Sequence, residues 1–171
     1  ETMRLEADGG IPRLRFHLAR LAASARRFAI PLDLSALKTR LASLRPSRAR
    51  RLRLLLSADG AVALQLSPLP PAPAGPVDVA VRPLPVTPTD WRLFHKSGDR
   101  GFHDDARRQS GRFECLFERP DGLLTEGSFT SLFVERDGRL LTPPARLGLL
   151  PGALRAELLE SGLAQEAELD L

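Results

Sequence analysis

Residues 67–76 read SPLPPAPAGP, five prolines in ten positions. Proline fixes φ and lacks a backbone N–H, so this stretch is stiff, poor in donors and unfit for the interior of a sheet or helix. It reads as an interdomain linker and divides the chain into residues 1–68 and 77–171. Just before it, RLRLLLS and AVALQLS flank Ala58-Asp59-Gly60, and Asp-Gly between two apolar runs predicts a β-hairpin. Further back, the periodicity changes. In IPRLRFHLARLAASARRFAI, the residues Leu14, Leu18, Leu21, Ala25 and Phe28 recur at helical spacing and predict one buried stripe flanked by arginines. Pro31 stops that helix, Asp33 or Ser35 caps a second one through about Leu44, and Pro46 ends it. The opening ETMRLEA alternates apolar and polar residues as a strand does, up to the turn at Asp8-Gly9-Gly10. The first part is therefore a small α+β unit.

Beyond the linker the pattern is mostly β. VDVAVRPLPV, FECLFE and SLFVE predict strands, the last two followed by turns at Pro120-Asp121-Gly122 and Arg136-Asp137-Gly138. One helix is expected from about 152 to 160, with Pro151 just ahead of it and Ser161-Gly162 closing it.

Composition bounds the function. The chain has 171 residues, 43% hydrophobic and 27% charged, which suits a folded protein rather than a disordered one. No apolar run reaches the ~18–20 residues of a membrane helix and no signal peptide opens the sequence, so a cytoplasmic protein with no membrane partner is expected. A single cysteine, Cys115, excludes an internal disulfide and a Cys-rich zinc site; His17, His95 and His103 lack companion ligands, so no metal is expected. The net charge of +4 raises nucleic acid as a partner. Against that, the basic residues are spread out, only 48–53 (RARRLR) is dense, Tyr is absent and Trp91 is the sole tryptophan, so no stacking platform accompanies the charge. Lys38 and Lys96 are the only lysines in an arginine-rich chain, which draws attention to both.

Three places combine polar groups with a tight backbone. In WRLFHKSGDR, Lys96 has apolar neighbours in Trp91, Leu93 and Phe94 and positive ones in Arg92 and Arg100. Desolvation and like charge lower an amine's pKa and make it a nucleophile, although a surface lysine in a loop fits the same residues. In LLTEGSFTSLFV, Glu126 is either a solvent-facing turn residue or a buried acid kept ionised by a cation. In LGLLPGALRAELL, a Gly-containing turn runs into a helix whose first amides favour an anion such as phosphate. Arg20 by itself reads as a solvated residue on a helix flank.

Together, ETMR, HLARLAASA, FHKSGDR, LTEGSFTSLFV and LLTPPARLGLLPGALRAELL resemble, in order and spacing, the fold-type IV pyridoxal-phosphate enzymes. This class contains branched-chain and D-amino acid aminotransferases and aminodeoxychorismate lyase. The helix, lysine and Pro-Gly segments look closest to the lyases, above all those fused behind aminobenzoate synthase component I. The resemblance implies a two-domain α+β fold, with a small N-terminal α/β sandwich-like domain and a larger, mostly β, barrel-like C-terminal domain. It implies pyridoxal 5'-phosphate as cofactor, with Lys96 as the lysine that condenses with its aldehyde and shuttles the substrate proton. Glu126 matches the acid that pairs with the ring nitrogen, Arg20 the arginine that grips the phosphate, and Ala153 and Leu154 the turn whose amides hold the same phosphate. It further implies a homodimer, a cofactor bound between the two domains, and conversion of 4-amino-4-deoxychorismate to 4-aminobenzoate and pyruvate in folate biosynthesis. The alternatives are an amino acid aminotransferase of the same fold and a non-catalytic relative.

The sequence also departs from that pattern. No tyrosine is available for the cofactor's ring hydroxyl; Asp99 replaces an asparagine common in the lyases, Leu154 a threonine, and Ser131 an asparagine. The chain starts within a family motif and stops at Leu171, ahead of the segment resembling N-S-x-R-G. Part of the phosphate and substrate pocket is therefore expected to lie outside these residues.

Overall fold

The computed structural model describes residues 1–171, which form two compact units, Glu1–Ala72 and Pro73–Leu171. No helix is long and apolar enough to cross a membrane.

In the first unit, β1 (Thr2–Leu5), β2 (Arg50–Leu56) and β3 (Val62–Ser67) form an antiparallel sheet in that order. On β2, Leu52 and Leu54 are buried while Arg51 and Arg53 are exposed, the alternation of a sheet with one face on a core. Helices α1 (Leu14–Arg27) and α2 (Leu34–Ala42) supply Leu18, Leu21, Leu37 and Leu41 to that core. Asp33 caps α2 by accepting the Ala36 amide at 2.9 Å. The expected stripe on α1 is shorter than its spacing suggests. Phe28 is 38% exposed, because the helix ends at Arg27 and Phe28 is already its cap. Helix α2 likewise ends at Ala42 rather than near Leu44.

The second unit has two three-stranded sheets, each with one parallel and one antiparallel pairing. In the first, β4 (Val79–Pro83) lies parallel to β5 (Glu114–Glu118), which pairs antiparallel with β6 (Leu124–Gly127). In the second, β7 (Val134–Arg136) is antiparallel to β8 (Arg139–Thr142), and β8 is parallel to β9 (Ala164–Glu166). Parallel neighbours need a crossover, and helices provide it. The short α3 (Trp91–Phe94) and α4 (Gly101–Ser110) lie between β4 and β5, and α5 (Ala153–Glu160) between β8 and β9. Helix α4 is an element the sequence reading does not expect in this half. The strand expected over 131–135 is also shorter and later, starting at Val134.

Candidate active site

Helix α3 sets the lysine segment. Asp90 caps it, accepting the Arg92 amide at 2.9 Å, and Leu93 anchors it with no exposed surface. The chain then extends at His95 and places Lys96 in the exposed loop before α4. Arg92 does not serve as the lysine's charged neighbour alone, for it binds Asp90 at 2.7 Å and Asp99 at 3.3 Å. Gly148 brings a distant segment alongside. It has φ +90°, and a Cβ there would stand 2.5 Å from the Pro88 carbonyl oxygen and 3.0 Å from Leu93 Cδ1. Only glycine lets residues 147–150 run so close to the base of the lysine segment.

Glu126 lies on β6 and is 5% exposed, so it is the buried acid and not a turn residue. Arg100 Nη2 donates to its Oε1 at 3.1 Å. Burial raises the carboxyl to about 7, against the pull of the Arg100 charge, the Leu150 backbone amide and the Lys96 charge. The Leu150 amide belongs to the run that precedes α5, so three separated segments meet at this carboxylate. Arg100 also binds His103 on α4, through Nη2 at 2.8 Å and Nε at 3.1 Å to Nδ1. A guanidinium only donates, so Nδ1 accepts and the ring proton sits on Nε2. His103 is 2% exposed and stacks on Phe117 at 5.0 Å. Burial, then the charges of Arg100 and Lys96, hold its pKa down to about 3, and the ring stays neutral. Its Nε2 is buried with no hydrogen-bond partner.

The residues after Glu126 are fixed by a second buried acid, Glu114 on β5. Its carboxylate accepts the amides of Cys115 (2.7 Å), Ser128 (2.9 Å) and Phe129 (3.3 Å) and the hydroxyls of Ser128 (2.6 Å) and Thr130 (2.7 Å). Those bonds hold 128–130 as a tight loop that delivers Ser131 to the start of α5. A Cβ on Gly152, the cap residue of α5, would lie 2.6 Å from Ser131 Oγ. No side chain caps this helix, which leaves the first-turn amides of Ala153 and Leu154 to other acceptors. Ala153 is 9% and Leu154 46% exposed.

Arg20 belongs to the first unit, on α1, and is not a solvated flank residue: its side chain is 8% exposed. It grips Glu1 with two parallel bonds, Nε to Oε1 at 2.9 Å and Nη2 to Oε2 at 2.5 Å, and His17 Nδ1 lies 2.9 Å from the same Oε2. Glu1 meets a burial penalty, but the His17 and Arg20 hydrogen bonds and the Arg20 charge outweigh it and bring its pKa down to about 2.

The whole chain, residues 1–171, matches the family model described as Amino-transferase class IV. The protein belongs to the class IV aminotransferase family. Among its relatives is the "Putative aminodeoxychorismate lyase" of Schizosaccharomyces pombe, 26% identical over 167 residues, a match spanning 93% of this chain and 72% of that protein. Among solved structures, the "Putative amino-acid aminotransferase" of Mesorhizobium loti is 32% identical with a TM-score of 0.87, covering 99% of this chain and 86% of that one. The PLP-bound form of a hypothetical aminotransferase from Mycobacterium tuberculosis shares the fold at 22% identity and a TM-score of 0.79, covering 100% and 71% of the two chains. The α+β, fold-type IV architecture expected from the motifs is thus the architecture of this protein.

In this member of the class IV aminotransferase family, the structure brings Lys96, Glu126 and the start of α5 into one unit. Arg100, His103 and Glu114 complete that neighbourhood and were not singled out as site residues by sequence. Arg100 shows in the sequence only as a charge near Lys96. Glu114 opens a stretch that reads as an ordinary strand, and its donors arrive from residues 128–130. A signal for α4 was available: Arg107, Arg108 and then Gly111, in the left-handed conformation at φ +64°, are the marks of a helix end.

Proposed function

We propose that this protein is a pyridoxal-phosphate-dependent lyase that converts 4-amino-4-deoxychorismate to 4-aminobenzoate and pyruvate. The observation that carries the cofactor is Glu126, a buried carboxylate whose two nearby cations do not fully compensate its burial. Such an acid suits a ligand that brings its own positive charge, as a protonated pyridine nitrogen does. The uncapped start of α5 beside Gly152 and Ser131 suits a phosphate, so the donor set fits the group.

In this reading, Lys96 holds the cofactor's aldehyde carbon, Glu126 holds a proton on its ring nitrogen, and the amides of Ala153 and Leu154 hold its phosphate. Arg20 is carried as a further phosphate ligand by resemblance. When bound, pyridoxal phosphate supplies an electron sink conjugated to the amine-bearing carbon of the substrate. Lys96, once its amine is released, takes the proton from that carbon. The electron pair of that C–H bond ends as a new double bond to the adjacent substrate carbon as the C–O bond there breaks, and the departing enolpyruvate takes up a proton at its methylene carbon to become pyruvate. The ring left behind is aromatic, which makes the elimination strongly favourable and leaves the protein the tasks of positioning and proton transfer.

The lyase reading is supported by the name of the Schizosaccharomyces pombe relative, and an aminotransferase reading by that of the Mesorhizobium loti structure. Product analysis separates them. The lyase releases pyruvate and 4-aminobenzoate in equal amounts with no keto acid present, whereas turnover only with an amino acid and a keto acid together would establish the aminotransferase. Borohydride reduction of the cofactor-loaded protein, expected to be yellow, should fix the cofactor on the peptide containing Lys96. A label on Lys38, or none after cofactor is added, would overturn the assignment and leave a non-catalytic relative. The same reading proposes a cytoplasmic homodimer working in folate biosynthesis; light scattering at a mass of one chain would refute the dimer.

A further inference from the structure

Two cations act on Glu126, and they differ in permanence. Lys96 must lose its charge to serve as nucleophile and base in the reaction proposed above, so its support is withdrawn during turnover. Arg100 keeps its charge at every pH of interest. The Arg100 side chain is 14% exposed, and a single nitrogen, Nη2, donates to Glu126 Oε1 at 3.1 Å and faces His103 Nδ1 at 2.8 Å. Nε adds a second bond to Nδ1 at 3.1 Å. The imidazole is wedged between rings, 4.3 Å from Phe102 and 5.0 Å from Phe117. Because it is neutral, it holds the guanidinium without setting a second positive charge beside it. The Leu150 amide faces Glu126 from the run before α5, and Lys96 from the loop before α4.

We infer that Arg100, fixed in place by His103, is a positioning residue for Glu126, keeping that carboxylate oriented and anionic while Lys96 is uncharged. The inference rests on the pyridoxal-phosphate reading for its purpose, but not for its geometry. Neither Arg100 nor His103 is placed at the reacting atoms. A merely structural role would leave the titration of Glu126 where it is.

The test uses Arg100→Gln, Arg100→Lys and His103→Leu in the full chain. First, the Glu126 carboxyl is titrated by infrared difference spectroscopy without cofactor, using Glu126→Gln to assign the band. Arg100→Gln should move the midpoint up by about one to three pH units, and Arg100→Lys should restore most of that shift. Second, the loaded enzyme is assayed across pH. In Arg100→Gln, kcat should fall about tenfold for each unit of upward shift while KM changes less than about threefold. If Arg100→Gln does not fold, His103→Leu, which removes the acceptor that holds the guanidinium, should shift the midpoint in the same direction. A midpoint within about a third of a unit of wild type in whichever of these two variants folds overturns the inference. A moved midpoint without a borohydride label on Lys96 sinks the cofactor reading and leaves the Arg100–Glu126 coupling standing. A label on Lys96 with an unmoved midpoint does the reverse.

Discussion

Glu1 and Glu126 are both buried carboxylates, 2% and 6% exposed at the side chain, and each binds an arginine. Their proton affinities nevertheless move in opposite directions, Glu1 down to about 2 and Glu126 up to about 7. The difference lies in how fully each charge is met. Glu1 receives a two-pronged guanidinium and the His17 ring, so its interactions more than offset its burial. Glu126 receives one guanidinium nitrogen at 3.1 Å and one backbone amide, with a lysine acting through space. A fully met acid is a structural fastening. One that is short of positive charge is a place for a cationic ligand.

Replacing each acid by its amide puts that contrast at its greatest. Glu126→Gln should cut turnover by roughly 10²–10⁴-fold, a loss the size of a general acid–base contribution, with the fold intact by circular dichroism. Full activity in that variant would reduce Glu126 to a packing residue. Glu1→Gln should act on stability instead. It strands the Arg20 charge in a buried site and should cost about 3–5 kcal/mol in denaturant unfolding at pH 7. A loss below ~1 kcal/mol would show the pair to be no better met than Glu126.

The pH dependence of stability should carry opposite signs for the two acids. Glu1 binds its proton less tightly folded than unfolded, so its contribution is complete above about 4.5 and drains away as pH falls toward 2. Glu126 binds its proton more tightly when folded, so its contribution is complete below about 4.5 and drains away as pH rises through 7. Each swing is about 3 kcal/mol. Comparing unfolding curves of wild type and the two amide variants from about pH 2 to 8 isolates them, and swings of the same sign would break the comparison. The smallest effect concerns His17. Its replacement by Ala removes one hydrogen bond to a charged group and should cost about 2 kcal/mol, less than Glu1→Gln in the same assay.

Much of the fold was legible because its signals are local. Asp59-Gly60 marks the β2–β3 hairpin, Asp33 caps α2, and Pro151-Gly152 opens α5. Helix α4 escaped because FHDDARRQS buries little besides His103 and so shows no broad apolar face. The expectation for the site rests on resemblance, because its pairings lie beyond any local signal. Arg20 finds its partner 19 residues away, Arg100 finds Glu126 26 residues away, and Glu114 collects donors 14 to 16 residues downstream. No periodicity records such pairings, which is why Arg20 alone reads as solvated and Glu114 as strand.

The bonds that Glu114 makes have a consequence for the entropy of binding. Residues 128–130 lie between β6 and β7, where loops usually keep their freedom, yet a single carboxylate ties the Ser128 and Phe129 amides and the Ser128 and Thr130 hydroxyls to β5. Ordering a residue of backbone costs about 1–2 kcal/mol, and here folding has already met that cost. A ligand reaching Glu126 therefore finds the adjoining loop set, and its affinity is not reduced by having to freeze it. The Phe129 amide, outside any strand, should accordingly exchange its hydrogen at the pace of β5 whether a ligand is bound or not.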